Sequence, residues 1–239
     1  MVDHVADALA LVTHPWARHP GHRPRVGVAA SSAPAREFVW ATAMYQSGDW
    51  ESAPSVPANL IDSIARYTIL PVAPRGVNVG LGMADIFEYP FAWLTGHLPV
   101  RLTQQERRNL KRYVERGGMI VIDDHNHDVE GLFHKTATEE IKQTFGPGAL
   151  QRLPKTHDLY SVFFKFDDGP PTTSHELNGW GDNLVHRSLH AVLHSGRIGL
   201  LYSNKDYSSE WNFHPDTKRF MAVDPTRFGV NLVVYALSR

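Results

Sequence analysis

The sequence predicts one α/β domain with an open, mostly parallel sheet and helices on both faces, as in flavodoxin-like folds. Three observations indicate this class. Several short apolar runs lack alternation, which is typical of strands covered on both faces. Amphipathic segments with helical periodicity separate these runs. The length of 239 residues, 42% of them hydrophobic, is enough for one large core.

The clearest unit of this pattern is a strand, helix and strand in the middle of the chain. FAWL (91–94) predicts a strand, and TQQERRNLKRYVER (103–116) predicts an amphipathic helix that opens with a capping box, Thr103 with Glu106. Two glycines end this helix, and MIVI (119–122) predicts the next buried strand. Together they predict a βαβ unit with parallel strands.

Other segments extend the same alternation. Pro71 cannot donate to a strand ladder, so the segment that contains it is predicted to lie at a sheet edge. The remaining strands are predicted at 38–45, 69–72 and 198–202, and the remaining helices at 57–67, 138–145, 182–194 and 228–237.

The chain divides into an arm and a domain. Residues 1–36 are rich in proline, arginine and histidine without periodicity, which predicts a loosely ordered N-terminal arm before a domain at 37–239. ASSAPA (30–35) has the small-residue pattern of a signal-peptidase site, but the apolar run before it is short. The compartment, cytoplasmic or periplasmic, therefore stays open. The long segment 167–182 is expected to form an ordered flap.

Composition excludes several classes of function. The formal net charge is −1 without a basic run, so a nucleic-acid partner is not expected. No apolar run has the ~18 residues of a membrane-spanning helix. The chain contains no cysteine, which excludes disulfides and thiolate nucleophiles. Any divalent metal must therefore be bound by oxygen and nitrogen atoms.

Polar side chains follow four of the predicted strands. In open parallel sheets, ligands bind outside the carboxyl ends of the strands, where these side chains meet. GGMIVIDDHNHD (117–128) is the densest example. The predicted catalytic residues are Asp124, His125 and His97, the predicted ligand-binding residues are Asp49, Trp50, Asn204, Asp206 and Tyr207, and the predicted ligands of a divalent metal are Asp123, His125 and His127.

Neighbouring residues of an extended chain point to opposite sides, so the residues at 123–126 cannot all face the same site. Asp123 and His125 are expected on one side, and Asp124 and Asn126 on the other. A second histidine group, at 186, 190 and 194, falls in the helix predicted over 182–194. Its outer members would lie roughly 12 Å apart, so surface histidines are favoured over a metal site.

Several phrases together resemble a bacterial family of unknown function, domain family 4159, over residues 38–239. They are YQSGDW (45–50), PANLIDSI (57–64), IFEYPFAWLTGH (86–97), LTQQERRNLKRYVERGGMIVIDD (102–124), GRIGLLYSNKDYSSEW (196–211) and RFGVNLVVYAL (227–237). The resemblance implies a glutamine-amidotransferase-like fold related to ThuA-type proteins. It also implies a strand-to-helix elbow near Asp124 or His125, where relatives of that superfamily carry a cysteine.

Three functions remain open at this stage. The first is a module that binds a small polar ligand, such as a carbohydrate stacked on Trp50 and Tyr207, or that acts as a scaffold. The second is a hydrolase in which Asp123, Asp124 and His125 hold a divalent ion and His97 or Asp206 is the general base. The third is a domain that binds a protein partner through the 167–182 flap and exposed tryptophans.

Overall fold

A computed structural model of the chain describes residues 37–126, 131–177, 187–213 and 223–238. In this part of the chain, seven strands form one sheet in the order β2-β1-β3-β4-β7-β6-β5. The predicted α/β class is confirmed. The strands are β1 (Ala41–Met44), β2 (Val77–Gly80), β3 (Phe91–Gly96), β4 (Met119–Asp124), β5 (Leu150–Arg152), β6 (His190–His194) and β7 (Arg197–Ser203).

Helices cover both faces of the sheet. Buried residues on one face pack against α1, α5 and α6, and those on the other face pack against α2 and α3. The helices are α1 (Val56–Tyr67), α2 (Gln104–Glu115), α3 (Leu132–Phe145), α4 (Ser174–Leu177), α5 (Tyr207–Trp211) and α6 (Val223–Leu237), with 3-10 helices at Ala84–Glu88 and Asp158–Tyr160. None of the helices in the described ranges has both the length and the apolar character needed to cross a bilayer.

The βαβ unit predicted in the middle of the chain is confirmed as β3, α2 and β4. Thr103 accepts from the Glu106 backbone N–H, and Glu106 accepts from the Thr103 N–H, which is the predicted capping box. Gly117, with φ of 90°, lies just beyond the last turn. Strands β3 and β4 are parallel, and both are buried along their whole length. Their carboxyl ends therefore reach the same edge of the sheet.

The helix predicted over 182–194 is wrong in its described part, residues 187–194. Residues 190–194 form β6, which pairs antiparallel with β7. Ser195 and Gly196 have φ of 51° and 78°, and two successive residues with positive φ match the twist of a tight β-hairpin. The serine-glycine turn therefore decides the local structure against the helical spacing of the histidines. His186 lies outside the described residues.

The edge strand and several boundaries also differ from the prediction; the first strand, for example, begins at Ala41 and not at residue 38. Residues 69–72 contribute only an isolated bridge between Phe38 and Val72, and the edge strand is Val77–Gly80. Helices α3 and α6 begin six and five residues earlier than predicted, at Leu132 and Val223. Strand β4 continues to Asp124, so its two aspartates belong to the sheet. The arm at 1–36 and residues 178–182 of the predicted flap lie outside the described residues.

Candidate functional site

Four neighbouring strands bring polar side chains to one edge of the sheet. The carboxyl ends of β1, β3, β4 and β7 are adjacent and parallel. Asp49 contacts His97, His97 stacks on His125, and His125 faces Asp206. Each of these residues follows a different strand. The convergence of strand ends predicted from the sequence is therefore present, and we refer to these four residues as the rim cluster.

Asp49 fixes the position of His97. Its carboxylate accepts from the backbone N–H groups of His97 and Leu98, at 2.9 Å each, and lies 2.9 Å from His97 Nδ1. Burial raises the Asp49 pKa, but the hydrogen bonds from Leu98 and His97 outweigh it and lower the pKa below its usual value. Because an ionised carboxylate only accepts, Nδ1 is the nitrogen that donates to Asp49, and in the neutral ring Nε2 is then the acceptor.

The end of β3 is closely packed against this pair. A Cβ atom built on Gly96 would collide with the Tyr45 hydroxyl and would lie 2.7 Å from Asp49 Oδ1. The Tyr45 hydroxyl donates to the Thr95 carbonyl at 3.2 Å. Burial raises the Tyr45 pKa, and the charge of Asp49 raises it further. Glycine at position 96 is what allows Tyr45 and Asp49 to approach the strand end.

His125 joins the two halves of the rim cluster. Its ring lies 4.2 Å from that of His97 at an interplanar angle of 25°. Its Nδ1 lies 3.2 Å from Ser52 Oγ, and its Nε2 lies 3.8 Å from Asp206 Oδ1. The loop after β1, the loop after β4 and the turn after β7 therefore meet at this one imidazole.

Asp206 occupies a strained position between β7 and α5. Its φ and ψ are 56° and 49°, the left-handed conformation, and its Oδ1 accepts from the Ser209 N–H at 3.0 Å as the cap of α5. A non-glycine residue in this region costs of order 1–3 kcal/mol, and such residues concentrate at functional sites. The side chain is 1% exposed. A strained strand-to-helix turn thus lies after β7. The elbow that the resemblance implies near Asp124 or His125 stays a prediction, because the turn after β4 includes residues 127–130, which lie outside the described residues.

The two aspartates that end β4 point to opposite faces of the sheet. Asp123 Oδ2 accepts from the N–H and the hydroxyl of Ser208, at 2.6 and 2.7 Å, while its Oδ1 has no partner among the described groups. Burial and then the charge of Asp206 raise the Asp123 pKa to about 7. Asp123 is therefore an enclosed carboxyl group next to Asp206 and not part of an open surface.

Asp124 lies on the other face, with Asn126 as predicted. Its Oδ1 accepts from the Asn126 backbone at 2.9 Å and from Asn126 Nδ2 at 3.2 Å. Asn126 Nδ2 also donates to the His97 carbonyl at 3.0 Å. Asp124 thus orients Asn126, which in turn binds the His97 carbonyl. The Asp124 side chain itself is fully buried.

Three predicted ligand-binding residues, Asn204, Asp206 and Tyr207, are enclosed. The Tyr207 ring stacks on Trp211 at 5.3 Å and 13°, and its hydroxyl donates to the Pro171 carbonyl at 2.6 Å. Tyr207 is 1% exposed, so its ring offers no face to a sugar, in contrast to the expectation from the sequence. Asn204 is equally buried. Trp50 is partly exposed and packs against the core beside Asp49.

The metal site proposed for the hydrolase does not form as expected. Asp123 and Asp124 point to opposite faces, so one ion cannot bind both carboxylates together with His125. Within the described residues, no group of three histidine or acidic side chains is arranged to hold a metal ion. The set that includes His127 stays a prediction, because His127 lies outside the described residues. His190 and His194 stand four positions apart on a strand, roughly 13 Å, which rules out a shared ion.

Sequence reasoning missed two serines that shape the site and the pairing of a lysine that follows β7. Ser52 contacts His125, Ser208 fixes Asp123, and Lys205 forms a buried ion pair with Glu176. Serine is common in turns, so Ser52 and Ser208 carried no distinguishing signal. The pairing of Lys205 with Glu176 depends on tertiary contact between segments 29 residues apart.

Comparison with known proteins identifies the family but no activity. No curated protein matches the sequence. The sequence profile of one family matches residues 39–237, which is most of the chain. The chain therefore belongs to the family described as domain of unknown function (DUF4159).

Proposed function

We propose that the rim cluster binds a small polar ligand with several hydroxyl groups, such as a carbohydrate, on an amidotransferase-like α/β fold. The observation that carries this proposal is the continuous chain of contacts Asp49–His97–His125–Asp206 across four strand ends. Carboxylate oxygens accept hydroxyl protons, and imidazole nitrogens can accept or donate. The edge of the sheet where these residues lie is where open α/β sheets bind ligands.

Trp50 supports the proposal of a carbohydrate ligand, whereas the buried Tyr207 cannot contribute a stacking surface. It lies one residue after Asp49 and is partly exposed, so it can offer an apolar surface beside the polar groups. Binding sites for small molecules usually combine such a surface with a few well-placed polar groups.

A thermal-shift panel of sugars, polyols and nucleotides tests this proposal. A ligand present at 100 times its Kd adds about 2.7 kcal/mol to the free energy of unfolding, which is a readily measured shift. His97→Asn should abolish the shift. His194→Asn, an exposed histidine on β6, is the matched control and should retain it. No shift with any compound would refute ligand binding, and a stable protein complex would then favour a partner module.

A second candidate function is hydrolysis with His97 as general base. It is favoured by the hydrogen bond from His97 Nδ1 to Asp49, which leaves Nε2 to take a proton from water. Because the chain has no cysteine, thiolate chemistry is excluded. We expect Asp49→Asn to reduce hydrolysis of an active substrate roughly 10²–10⁴-fold, the usual size of a general-base contribution. Equal turnover by the wild type and by Asp49→Asn would exclude hydrolysis with His97 as general base.

A further inference from the structure

The segment just before the undescribed residues 178–186 is fastened to the turn that carries Asp206. We call residues 171–176 the strap. The Tyr207 hydroxyl donates to the Pro171 carbonyl, the Lys205 ammonium pairs with Glu176, and the Ser174 N–H donates to Glu210. Each of these partners lies on the β7–α5 turn or on α5 itself. The strap thus lies directly against the structure that holds Asp206.

The ion pair is the charged member of this set, and it is largely buried. The Lys205 side chain is 1% exposed and that of Glu176 is 10% exposed. Glu176 Oε2 also accepts from the Thr173 N–H at 2.7 Å, which closes the strap on itself. Burial lowers the Lys205 pKa, and the contact with Glu176 partly offsets this. Breaking such a buried pair on one side leaves an uncompensated charge, which is strongly destabilising.

Lys205 directly precedes the strained residue of the rim cluster. A left-handed aspartate persists only where its surroundings hold it there. On the inner side, Asp123 binds the Ser208 N–H, and Asp206 caps the Ser209 N–H. The Lys205 side chain, held by Glu176, is a further restraint next to Asp206. A shift of Lys205 would rotate the following peptide and move the Asp206 carboxylate away from His125.

We propose that the Lys205–Glu176 ion pair is a clamp through which the strap positions Asp206, and with it His125, in the rim cluster. Lys205 and Glu176 are positioning residues, since they act through Asp206 and do not reach the rim themselves. The inference rests on the proposed function in that it concerns the same site. It gives the strap, which lies about 30 residues before Asp206 in the sequence, a role in positioning the residues of that site.

Two measurements on the full chain test the clamp without any ligand. Amide hydrogen exchange reports whether the strap is fastened, through the N–H groups of Thr173 and Ser174. Modification by diethyl pyrocarbonate, read residue by residue, reports how accessible His125 is relative to His97. The variants are Glu176→Gln, Lys205→Met and the double variant, with Lys142→Met, which breaks the exposed Lys142–Glu139 pair, as matched control.

We expect exchange at Thr173 to accelerate at least roughly tenfold in Glu176→Gln, because an amide cannot accept from both Thr173 and Lys205 as the carboxylate does. The ratio of His125 to His97 modification should rise several-fold in both single variants and by no more in the double variant, since one pair is lost in each case. The control should match the wild type in both measurements. Exchange in α6 serves as the test that each variant is folded.

Faster exchange in the strap with an unchanged ratio of His125 to His97 modification would overturn the proposal, because the strap would then be fastened without positioning the site. If Lys205→Met does not fold, Glu176→Gln alone decides the outcome, since glutamine keeps the volume of the side chain but lacks the charge that pairs with Lys205. This test is independent of ligand binding. The clamp test can fail while a sugar still stabilises the protein, which would leave the proposed function standing. The clamp test can also succeed while no ligand stabilises the protein, which would refute ligand binding alone.

Discussion

His97 and His125 directly follow two neighbouring parallel strands, and their rings stack with centroids 4.2 Å apart. Each ring faces its own carboxylate, Asp49 for His97 and Asp206 for His125. Asn126 ties the two strand ends together by donating to the His97 carbonyl. The positions of the two imidazoles are thus fixed by a carboxylate next to each ring and by the Asn126 side chain, which contacts the His97 backbone.

Asp49→Asn should loosen the His97 loop without changing the fold. The amide retains only one acceptor oxygen where the carboxylate binds two backbone N–H groups and an imidazole, so we expect a loss of about 1–3 kcal/mol. The native Asp49 pKa is lowered, so its contribution is present above the unfolded value of about 3.8 and is lost as the pH falls through the native value. Urea unfolding between pH 2 and pH 7 measures both effects.

The variant should therefore show a flatter decline of stability below about pH 4 than the wild type. Glu51→Gln, an exposed carboxylate two residues away, is the control and should leave the acid limb as it is. Equal acid limbs in the wild type and in Asp49→Asn would show that Asp49 does not contribute to acid stability.

Gly96→Ala should destabilise the protein, although it adds only one methyl group. The added methyl group would meet the Tyr45 hydroxyl and Asp49 Oδ1, both held by the fold, so we expect about 1–3 kcal/mol of destabilisation from overpacking. Gly82→Ala is the matched control, because its nearest neighbour would lie at 3.5 Å, an ordinary contact. Thermal unfolding of the two variants makes the comparison. A Gly96→Ala protein as stable as Gly82→Ala would contradict the close approach.

The central part of the fold could be predicted from the sequence because its signals are local. The capping box at Thr103 and Glu106, the glycines after α2 and the apolar run of β4 each act within a few residues. The rule that parallel strands present their carboxyl ends at one edge then placed Asp49, His97, His125 and Asp206 together. This inference needed strand direction only, and no side-chain detail.

The parts that could not be predicted depend on tertiary contact or on competing local signals. The spacing of His190 and His194 suits a helix, but the turn at Ser195 and Gly196 and the pairing with β7 decide for a strand. Tyr207 follows a strand end like the other rim residues, yet its ring turns inward to Trp211. Sequence position gives the edge on which a residue lies, while packing decides which way its side chain points.

Asn231 should prove a strong determinant of stability, because it holds the loop at 159–166 against α6. Its Nδ2 donates to the carbonyls of Leu159 and Phe164, and its Oδ1 accepts from the Phe164 N–H at 2.8 Å. Asn231→Asp keeps the volume but replaces the donor, leaving two buried carbonyls facing a carboxylate. We expect a loss of about 2–4 kcal/mol in urea unfolding.

Asn212→Asp is the control for this change, since Asn212 Oδ1 accepts from the Ser55 N–H at an exposed position and an aspartate retains this oxygen. It should cost less than about 0.5 kcal/mol. Similar losses in the two variants would mean that the Asn231 side chain does not anchor the loop.

Asp123→Asn should raise stability near neutral pH. The Asp123 pKa is raised from 3.8 to about 7, so between these values the unfolded chain has already lost the proton that the folded chain retains. The unfolded state then binds fewer protons, and the stability that Asp123 contributes falls as the pH rises from about 4 to 7. The asparagine retains an oxygen that can accept from Ser208 but carries no charge at any pH. The penalty, up to a few kcal/mol at pH 8, should disappear.

The measurement is the difference in free energy of unfolding between Asp123→Asn and the wild type, from pH 4 to pH 8. It should grow in favour of the variant across this range and level off above pH 7. Asp85→Asn, an exposed aspartate in the 3-10 helix at 84–88, should give a difference that does not change over the same range. A flat difference for Asp123→Asn would mean that Asp123 is already ionised in the folded protein at pH 5, and that burial beside Asp206 does not hold its proton.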